Sequence, residues 1–531
     1  MASITRRDMI KSSGMVAAGV AAASVAGAGS AMAATGPQFA AEVAVPAFLT
    51  APDPITDIAE TKEYDVVVIG AGAAGVPAAL SACEAGAKVA LLQKESTAVS
   101  QGNSGTGIDL ETSDPAGVEA LISLEITENG YRPKRELMRN WAYNSGEAVR
   151  WVIEKTSAVG ASVVDQGDLQ QSGIVNVNGY EMHYVTSFFG PKPYNTGDGM
   201  IALAGVAESE GVEIFYETPA QQLVKDGDRV IGVIAQDAEG KYIQFNAAKG
   251  VIVACGDYQN DVEMCEYYLP DLENLERKQF NKTGDGHKMI VWAGGKIEDL
   301  NHTKMLHDFD AGPASMCDMP FLAVKDNGER FCCETAPMSL MNNFLRGPED
   351  CGWYSQIFDS DYMTAAADWP GKLVDPEGLK NYMPEDEGEK TGVFPGLVNT
   401  YVADTIEELA EKIGVDPAAL SATVERYNEL CELGADEDFG KQAEYLIPVK
   451  TAPFYAIHRH VRISALCSGV DVDVNNQCLT PEGEPIPGLF AIGNCAGGFY
   501  GGVDYPLKVY GLSLGRCYTA GYMCGKYVAG L

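Results

Sequence analysis

A glycine-rich turn near the start of the chain constrains the fold more than any other feature. Residues 64–94 read YDVVVIGAGAAGVPAALSACEAGAKVALLQK, which is a β-branched strand, a glycine-rich turn, an alanine-rich helix and a second apolar strand. Gly70 permits the tight turn, Gly72 lets the backbone approach a phosphate, and Gly75 lets helix and strand pack closely. The N-terminus of such a helix attracts anions. This stretch therefore predicts a βαβ unit that binds the pyrophosphate of a dinucleotide.

The end of the second strand departs from the usual pattern. An acidic residue there commonly binds a ribose diol, whereas this chain has Gln93 followed by Lys94. A glutamine amide can still hydrogen-bond a hydroxyl group, without the charge. Gln93 is therefore either a ribose ligand or simply a polar strand end.

The length and charge of the chain limit the possible functions. With 531 residues, the chain is long enough for two or three domains. Its net charge of −36 argues against nucleic acid as a partner, because phosphates would be repelled. The same charge can steer a basic protein partner, such as an electron donor, or can serve only solubility.

The N-terminus has the pattern of an export signal. Arg6 and Arg7 match a twin-arginine motif, and an Ala/Gly-rich run follows that ends at a small-residue cleavage site, residues 31–33. We predict a twin-arginine signal peptide over residues 1–33, recognised by the twin-arginine export machinery, and a periplasmic or other extracytoplasmic location. The alternative is an uncleaved membrane anchor, but the run has few large apolar residues. Residues 34–60 have the composition of a linker.

Thirteen cysteines in an exported chain would ordinarily suggest disulfides. Their number is odd and their spacing irregular, and neither CxxC nor CxxCH occurs, so the sequence supports no disulfide framework, metal site or c-type haem. Two histidine pairs, His302 with His307 and His458 with His460, lack enough nearby ligands for a metal. We predict pocket-lining or buried polar roles for them.

Alternating strands and helices indicate an α/β fold. A strand over 212–216, a hairpin with its turn at Asp226-Gly227, and a buried strand over 251–254 follow the first unit. Aromatic residues, methionine and charge become more frequent between about 310 and 455, with helical patterns over 404–413 and 418–432. We predict a first domain part over 61–310, a cap over 311–455, and a second part of the first domain over 456–531.

With these elements, the chain resembles the fumarate reductase/succinate dehydrogenase flavoprotein family, including flavocytochrome c-like reductases and 3-ketosteroid dehydrogenases. Six segments carry the resemblance, in the family's order: GAGAAG at 70–75, GNSGTG at 102–107, VIVACGDY at 251–258, TGDG at 283–286, GERFCCE at 328–334 and PGLFAIGNCAGG at 487–498. The resemblance implies FAD as the cofactor and a Rossmann-like FAD-binding domain interrupted by an α+β capping domain. The active site would lie between the two.

The resemblance also implies which residues contact FAD. Residues 103–107 would lie against the isoalloxazine ring, and Gly493 with Asn494 would meet the ribityl–phosphate region. The full predicted FAD set is Gly70, Gly72, Ala74, Gly75, Gln93, Lys94, Asn103, Ser104, Gly105, Thr106, Gly107, Cys255, Gly256, Asp285, Gly493, Asn494, Ser513 and Leu514. The alternative for each glycine-rich turn is ordinary chain reversal.

The chain departs from fumarate reductases at the substrate. Those enzymes bind the two carboxylates of fumarate and deliver a proton with arginine residues and a His-Thr pair. The corresponding stretch here, residues 464–470, reads SALCSGV, and the position of the proton-donating arginine falls near Met363. We therefore expect that fumarate is not the substrate.

The C-terminal segment resembles ketosteroid dehydrogenases instead. Their Tyr-Pro tyrosine binds a steroid carbonyl, and that role would fall to Tyr505, with Tyr500 and Lys508 as further candidates. Lys508 would lower the pKa of the Tyr505 phenol or would simply be solvated, and Tyr505 would otherwise be a packed tyrosine. Glu334 matches a proton-relay glutamate of fumarate reductases, or makes a structural hydrogen bond. Residues 316–321 predict a greasy substrate wall or ordinary core.

These observations predict an exported FAD-dependent oxidoreductase that reduces an activated C=C bond in a mostly apolar or aromatic small molecule, such as an enone or acrylate. Hydride would come from flavin N5, and electrons from an external cytochrome or quinol dehydrogenase, as in anaerobic respiration. Two alternatives stay open: a 3-ketosteroid-type dehydrogenase that works in the oxidative direction, and a flavin electron carrier without substrate chemistry.

Overall fold

The computed structural model describes residues 46–162, 175–191, 194–299, 301–307, 312–384, 398–502, 504–505 and 508–531. The predicted signal peptide, residues 1–33, and residues 34–45 of the predicted linker lie outside this part of the chain. The rest of that linker is shorter than predicted, because the first strand already begins at Ile58. No helix of the described residues is both long enough and apolar enough to cross a membrane.

A mainly parallel sheet forms the frame of the molecule. Its strands run in the order β18-β19-β10-β1-β2-β7, and a hairpin of β8 and β9 joins β10. Pairing is parallel between β1 and each of β2 and β10, between β2 and β7, and between β10 and β19. The bounds are β1 Ile58–Ile69, β2 Val89–Leu92, β7 Glu213–Phe215, β8 Ala220–Asp226, β9 Arg229–Gln236, β10 Tyr242–Val253, β18 Gln477–Leu479 and β19 Pro485–Ala491.

Helices cover this sheet. The connection from β1 to β2 runs through α1, and the C-terminal helix α12 packs against α1. The helix bounds are α1 Gly75–Glu84, α2 Pro115–Glu128, α3 Arg135–Ser157, α4 Thr196–Glu210, α5 Val262–Tyr268, α6 Asp285–Trp292, α7 Met338–Met341, α8 Tyr362–Ala365, α9 Pro376–Leu379, α10 Ile406–Ile413, α11 Pro417–Leu433 and α12 Leu512–Ala529.

Sequence signals mark the helix ends clearly. The side chain of Asp114 caps α2 by accepting a hydrogen bond from the N–H of Ala116, and a proline follows at the first helical position. Asp416 caps α11 in the same way, and that helix ends at Gly434 in the left-handed region. These local signals explain why the predicted helices over 404–413 and 418–432 are confirmed to within two residues as α10 and α11.

An antiparallel sheet occupies the predicted cap. It has the order β13-β14-β16-β15 and its own apolar core. Its strands are β13 Leu322–Val324, β14 Trp353–Asp359, β15 Thr400–Ala403 and β16 Phe454–His460. Strand β16 runs past the predicted boundary at residue 455, while residues 46–531 form one compact unit. The division into domain and cap therefore stays a prediction.

Short strands complete the fold. A three-stranded sheet has the order β11-β17-β12, and two pairs are formed by β3 with β6 and by β4 with β5. Their bounds are β3 Gly105–Ile108, β4 Val175–Val177, β5 Tyr180–Met182, β6 Tyr184–Ser187, β11 Glu276–Arg277, β12 Lys304–His307 and β17 Arg462–Leu466. The predicted α/β class is confirmed.

A buried ion network holds the region around the antiparallel sheet. Arg330 donates two hydrogen bonds of 2.8 Å to Glu334 and two more, of 2.8 and 3.1 Å, to Asp436. The side chains of all three are at most 5% exposed. Although burial works in the other direction, the guanidinium group and backbone N–H groups hold the pKa of Asp436 well below its usual range.

We expect Arg330→Ala to destabilise the protein strongly. The substitution leaves Asp436 without its cation and Glu334 with the more distant ammonium group of Lys441 at 3.6 Å, which costs about 3–5 kcal/mol. Urea unfolding followed by circular dichroism measures the change. Arg426→Ala is the matched control, because Arg426 pairs with Asp438 at the surface and should leave the midpoint nearly unchanged. Equal, small shifts in both variants would contradict a structural role for the network.

Candidate active site

A cleft opens at the carboxyl ends of β1, β2 and β10. Ligands of open α/β sheets bind at this edge. Six residues of the predicted FAD set line the cleft: Gly70, Gly72, Gln93, Lys94, Cys255 and Asp285. The structure therefore brings together residues that lie up to 215 positions apart in the chain.

The glycines of the first turn have distinct structural reasons. Gly70 has φ +103°, and a Cβ there would lie 2.6 Å from the carbonyl oxygen of Ala254. A Cβ on Gly75 would overlap the carbonyl oxygen of Gly70. A Cβ on Gly72 would meet only the carbonyl oxygen of Val99, at 3.3 Å. The lack of a side chain at Gly72 therefore leaves space in the cleft, whereas Gly70 and Gly75 avoid overlap with backbone atoms.

Gln93 and Lys94 are already engaged within the protein. Gln93 donates its amide to the carbonyl oxygen of Thr97 at 3.1 Å and accepts a hydrogen bond from the N–H of Lys94 at 2.9 Å. The ammonium group of Lys94 lies 2.9 Å from a carboxylate oxygen of Asp285 and 2.7 Å from the hydroxyl of Thr283. Gln93 keeps one amide hydrogen for a further acceptor. Both predicted roles of Gln93 stay open.

Two residues that the sequence analysis missed also line the cleft, Asn281 and Lys282. Among the described residues, the ammonium group of Lys282 has no carboxylate within 4 Å, and the Oδ1 atom of Asn281 is buried without a hydrogen-bond donor. Asn494 has a similarly unpartnered Oδ1 atom. A free cation, unpaired polar atoms and a helix N-terminus fit an anionic dinucleotide. The sequence held one signal for these two cleft residues, because both lie directly before the TGDG segment.

The C-terminal region packs against this first unit. A Cβ on Gly493, which has φ +63°, would lie 3.0 Å from the Cβ of Ala74. The Sγ atom of Cys495 donates to the carbonyl oxygen of Gly256 at 3.1 Å. At the start of α12, the side chain of Leu514 lies 2.9 Å from the Cβ position of Gly102. Residues predicted to meet different parts of FAD thus lie along one continuous path.

The segment 103–107 is largely a packing element. Asn103 is exposed, whereas Ser104 to Gly107 are buried. A Cβ on Gly105 would overlap the ring of Tyr518, and one on Gly107 would overlap the backbone of Ser145. The N–H of Thr106 donates to the carbonyl oxygen of Gly511 at 3.0 Å. Close packing of β3 on α3 and α12 thus accounts for these glycines, and their contact with the isoalloxazine stays a prediction.

Two buried tyrosines lie close to the start of α12. Tyr505 is 5% exposed and Tyr500 3%, and their rings meet edge to face with centroids 5.1 Å apart. Burial raises the pKa of both phenols well above the usual value, although the backbone N–H of Ser513 works against this shift at Tyr505. Both phenols therefore keep their protons at neutral pH and can donate them.

The structure places Lys508 and Glu334 away from direct contact with Tyr505. Lys508 is partly exposed and lies 3.7 Å from Glu128. Its lowering of the Tyr505 pKa stays a prediction, while burial raises that pKa overall. Glu334 is bound by Arg330 in the ion network described above, which favours a structural role. Its relay role stays a prediction.

The remaining candidates lie mostly in the interior. Met316, Met319 and Phe321, predicted to be a substrate wall or ordinary core, belong to an apolar core, and Met319 and Phe321 also line a small cavity. His302 stacks on Tyr268 with ring centroids 4.1 Å apart, and burial lowers its pKa to about 4. His458 packs on Trp353. The described residues contain no cluster of three His, Cys, Asp or Glu able to hold a metal, and their cysteines are free.

Comparison with known proteins decides the family. The model of the FAD binding domain family matches residues 65–505, most of the chain.

The chain belongs to this FAD binding domain family.

It is an FAD-dependent oxidoreductase, and the predicted cofactor is confirmed.

Similar proteins are reductases. A vinyl phenol reductase of Lactiplantibacillus plantarum is 27% identical over 89% of this chain and 97% of its own length. A digoxin reductase of Eggerthella lenta is 28% identical over 96% of each chain. Among solved structures, a flavocytochrome c3 fumarate reductase in its open conformation superposes with a TM-score of 0.68 at 24% identity, over 89% of this chain and 79% of the other. The last of these shows the fold alone.

The residues of this cleft and its surroundings would hold different parts of FAD. The first turn with Gly72 and the N-terminus of α1 would hold the pyrophosphate, and Lys282 would balance its charge. The unpaired amide oxygens of Asn281 and Asn494 would accept hydrogen bonds from hydroxyl or ring N–H groups of the cofactor. The backbone N–H of Ser513 faces the phenol oxygen of Tyr505, and the contact of either residue with FAD stays a prediction.

We expect Gly72→Val to lower the affinity for FAD by about tenfold or more while the fold is kept. The added side chain projects into the cleft and keeps the pyrophosphate from the backbone N–H groups, and each hydrogen bond to a charged group contributes about 1.5–3 kcal/mol. Titration of flavin-free protein with FAD measures the effect. Gly205→Ala, in α4 with open space around it, is the control. Unchanged affinity in Gly72→Val would place the pyrophosphate elsewhere.

Proposed function

We propose that this protein is an exported FAD-dependent reductase of an activated C=C bond in a mostly apolar or aromatic small molecule. The observation that carries the proposal is the pair of buried, protonated phenols of Tyr500 and Tyr505 beside the start of α12. Such a pair can bind a carbonyl or phenol oxygen without an ionic clamp.

The names of the similar reductases support this substrate class. Relatives include reductases of vinyl phenol, digoxin and urocanate. A vinyl phenol has a C=C bond conjugated with an aromatic ring and no carboxylate to grip. Substrates of that kind suit a site that offers neutral hydrogen-bond donors.

The residues that face this region also argue against a dicarboxylate. The segment 464–470 has neither histidine nor threonine, and β17 within it pairs with β12. Ser468 accepts a hydrogen bond from the N–H of Thr303 at 2.8 Å, so its hydroxyl has a structural partner. Met363, which is partly exposed on α8, occupies the position expected for a proton-donating arginine. Neither of these two positions therefore supplies the cation that a carboxylate of fumarate needs.

Bound FAD supplies the two electrons, as hydride, for reduction of the double bond. Tyr505 then has one of two roles. Its hydroxyl hydrogen-bonds the conjugated oxygen, on which negative charge builds up, or gives its proton to the α-carbon. Tyr500 packs against the Tyr505 ring, and its hydroxyl lies close enough to the Tyr505 phenol to work against the rise in that phenol's pKa. Burial excludes water from both groups.

Electrons would come from outside the chain, from a membrane-linked cytochrome or quinol dehydrogenase, and the protein would act as a terminal reductase in anaerobic respiration. The sequence has no CxxCH haem motif. Its net charge of −36 gives a basic donor an electrostatic attraction. Export by the twin-arginine route would place the protein on the same side of the membrane as that donor.

Anaerobic assay with chemically reduced viologen tests this function. Purified protein is mixed with reduced viologen and a panel of enones, acrylates and vinyl phenols. Reoxidation of the dye with at least one compound, and the saturated product by mass spectrometry, is the expected result. Turnover only in reverse, with an added acceptor, would identify a dehydrogenase. No reaction with any compound in either direction would identify an electron carrier.

We expect Tyr505→Phe to slow turnover by on the order of 10²-fold, because the reduced product loses its proton donor or oxyanion partner. Absorbance of bound FAD should be unchanged. Tyr527→Phe, a partly exposed tyrosine on α12, is the control and should keep the wild-type rate. A wild-type rate in Tyr505→Phe would remove this residue from the mechanism.

A further inference from the structure

One carboxyl group is buried close to the tyrosine pair. Glu125, in the last turns of α2, is 1% exposed. Its Oε1 atom has no hydrogen-bond donor among the described residues, and its Oε2 atom has only the Nδ2 atom of Asn129 at 3.5 Å. A buried carboxylate without a cation or a full set of donors is unfavourable. Packing alone therefore does not explain why this carboxyl group is buried.

The end of α2 is tightly joined to the segment that carries both tyrosines. A Cβ on Gly501 would overlap the carbonyl oxygen of Asn129, so the two backbones are in direct contact. On the other side of Tyr505, the ammonium group of Lys508 lies 3.7 Å from Glu128. Glu125 stands one turn before Asn129, and its backbone carbonyl oxygen accepts a hydrogen bond from the Nδ2 atom of Asn129 at 2.8 Å. A negative charge on Glu125 would raise the pKa of Tyr505, so the carboxyl group lies within electrostatic range of that phenol.

The groups that face Glu125 come from three elements. Glu128 and Asn129 belong to its own helix, Tyr184 to β6, and Tyr505 and Lys508 to the C-terminal segment. The hydroxyl of Tyr184, like the Oε1 atom of Glu125, is buried without a hydrogen-bond partner among the described residues. These groups form a small polar cluster near Tyr505, in which Glu125 is buried while Glu128 and Lys508 reach the surface.

The charge state of Glu125 follows from this setting. Burial raises its pKa to about 8, although the positive charge of Lys508 works in the opposite direction, and Glu128 adds to the rise. The group is therefore neutral and holds a proton at pH 7. It loses this proton as the pH rises through about 8.

We propose that Glu125 is a positioning residue that returns a proton to Tyr505 after each turnover. The inference rests on the proposed function, in which Tyr505 gives its proton to the α-carbon of the substrate. In that step the O–H bond of Tyr505 breaks and a C–H bond forms. The proton of the Glu125 carboxyl then moves to the phenolate oxygen, directly or through one water. Glu125 regains a proton from solvent, so that each turnover takes up one proton from outside.

The carboxyl proton can be observed without any turnover. We expect the infrared spectrum of the purified holoenzyme to show the C=O band of a protonated carboxylic acid that shifts in D₂O and disappears with a midpoint near pH 8. The band should be absent from Glu125→Gln. Glu154→Gln, an exposed glutamate of α3, is the matched control and should keep it. Persistence of the band in Glu125→Gln, or its absence from the wild type below pH 7, would overturn the inference.

Kinetics separate proton return from a structural role. Gln has the shape of the neutral acid, so Glu125→Gln should keep the wild-type FAD absorbance and melting temperature. In a single turnover, Tyr505 already carries its proton, and we expect a rate within about twofold of wild type. Steady-state kcat should fall by on the order of 10²-fold with KM unchanged. Wild-type kcat should decline as the pH rises through about 8, because the Glu125 carboxyl group then has no proton to give. This decline should be missing in the variant.

Equal losses in the single turnover and the steady state would identify a structural residue and overturn the inference. A wild-type steady-state rate in Glu125→Gln would do the same, and the proposed function would then stand. A wild type that reduces none of the panel compounds would overturn the proposed function and the proton return together, and only the infrared titration would describe Glu125.

Discussion

Backbone contact at glycine holds this structure together. Gly75 lets α1 begin directly against the turn at Gly70, where any side chain would overlap a carbonyl oxygen. The C-terminal helix depends on the same kind of contact. Side chains on Gly521 or Gly525 of α12 would overlap the backbone of α1, at Ala74 and Ala78. Two helices separated by more than 400 residues of chain thereby pack at backbone distance, which fixes both ends of the site at once.

This packing joins two different environments of the protein. At one end, Gly72, Lys282 and unpaired amide oxygens suit a charged, hydroxyl-rich cofactor. At the other end, the start of α12 meets the buried phenol of Tyr505. The polar end binds by charge and backbone N–H groups, whereas the apolar end keeps protons on groups that would otherwise be solvated. An FAD-dependent oxidoreductase needs both environments within the length of one dinucleotide.

The sequence predicted the parts of the fold that local patterns determine. The first unit, β1 with α1 and β2, follows from its apolar runs and glycine spacing, and the hairpin of β8 and β9 follows from its Asp-Gly turn. Packing between distant segments was not visible. The glycines at 105 and 107 looked like cofactor contacts, while the structure explains them by the ring of Tyr518 and the backbone of Ser145.

Charge states were the least predictable feature of the site. Glu125 lies in an ordinary helical pattern, and only contact with residues near 501, almost 380 positions later, buries its carboxyl group. Lys508 looked able to lower the pKa of Tyr505 because it is three residues away in the chain, but the burial of the phenol outweighs it. Depth in the folded structure, rather than sequence distance, sets these pKa values.

The most direct test is a crystal structure of the reduced or FAD-loaded protein with a bound conjugated substrate or its unreactive analogue. We predict FAD along the cleft from Gly72 to the start of α12, and a hydrogen bond of normal length between the Tyr505 hydroxyl and the conjugated oxygen of the ligand. A ligand whose double bond lies against the flavin while its polar end meets other residues, with Tyr505 buried elsewhere, would contradict this account.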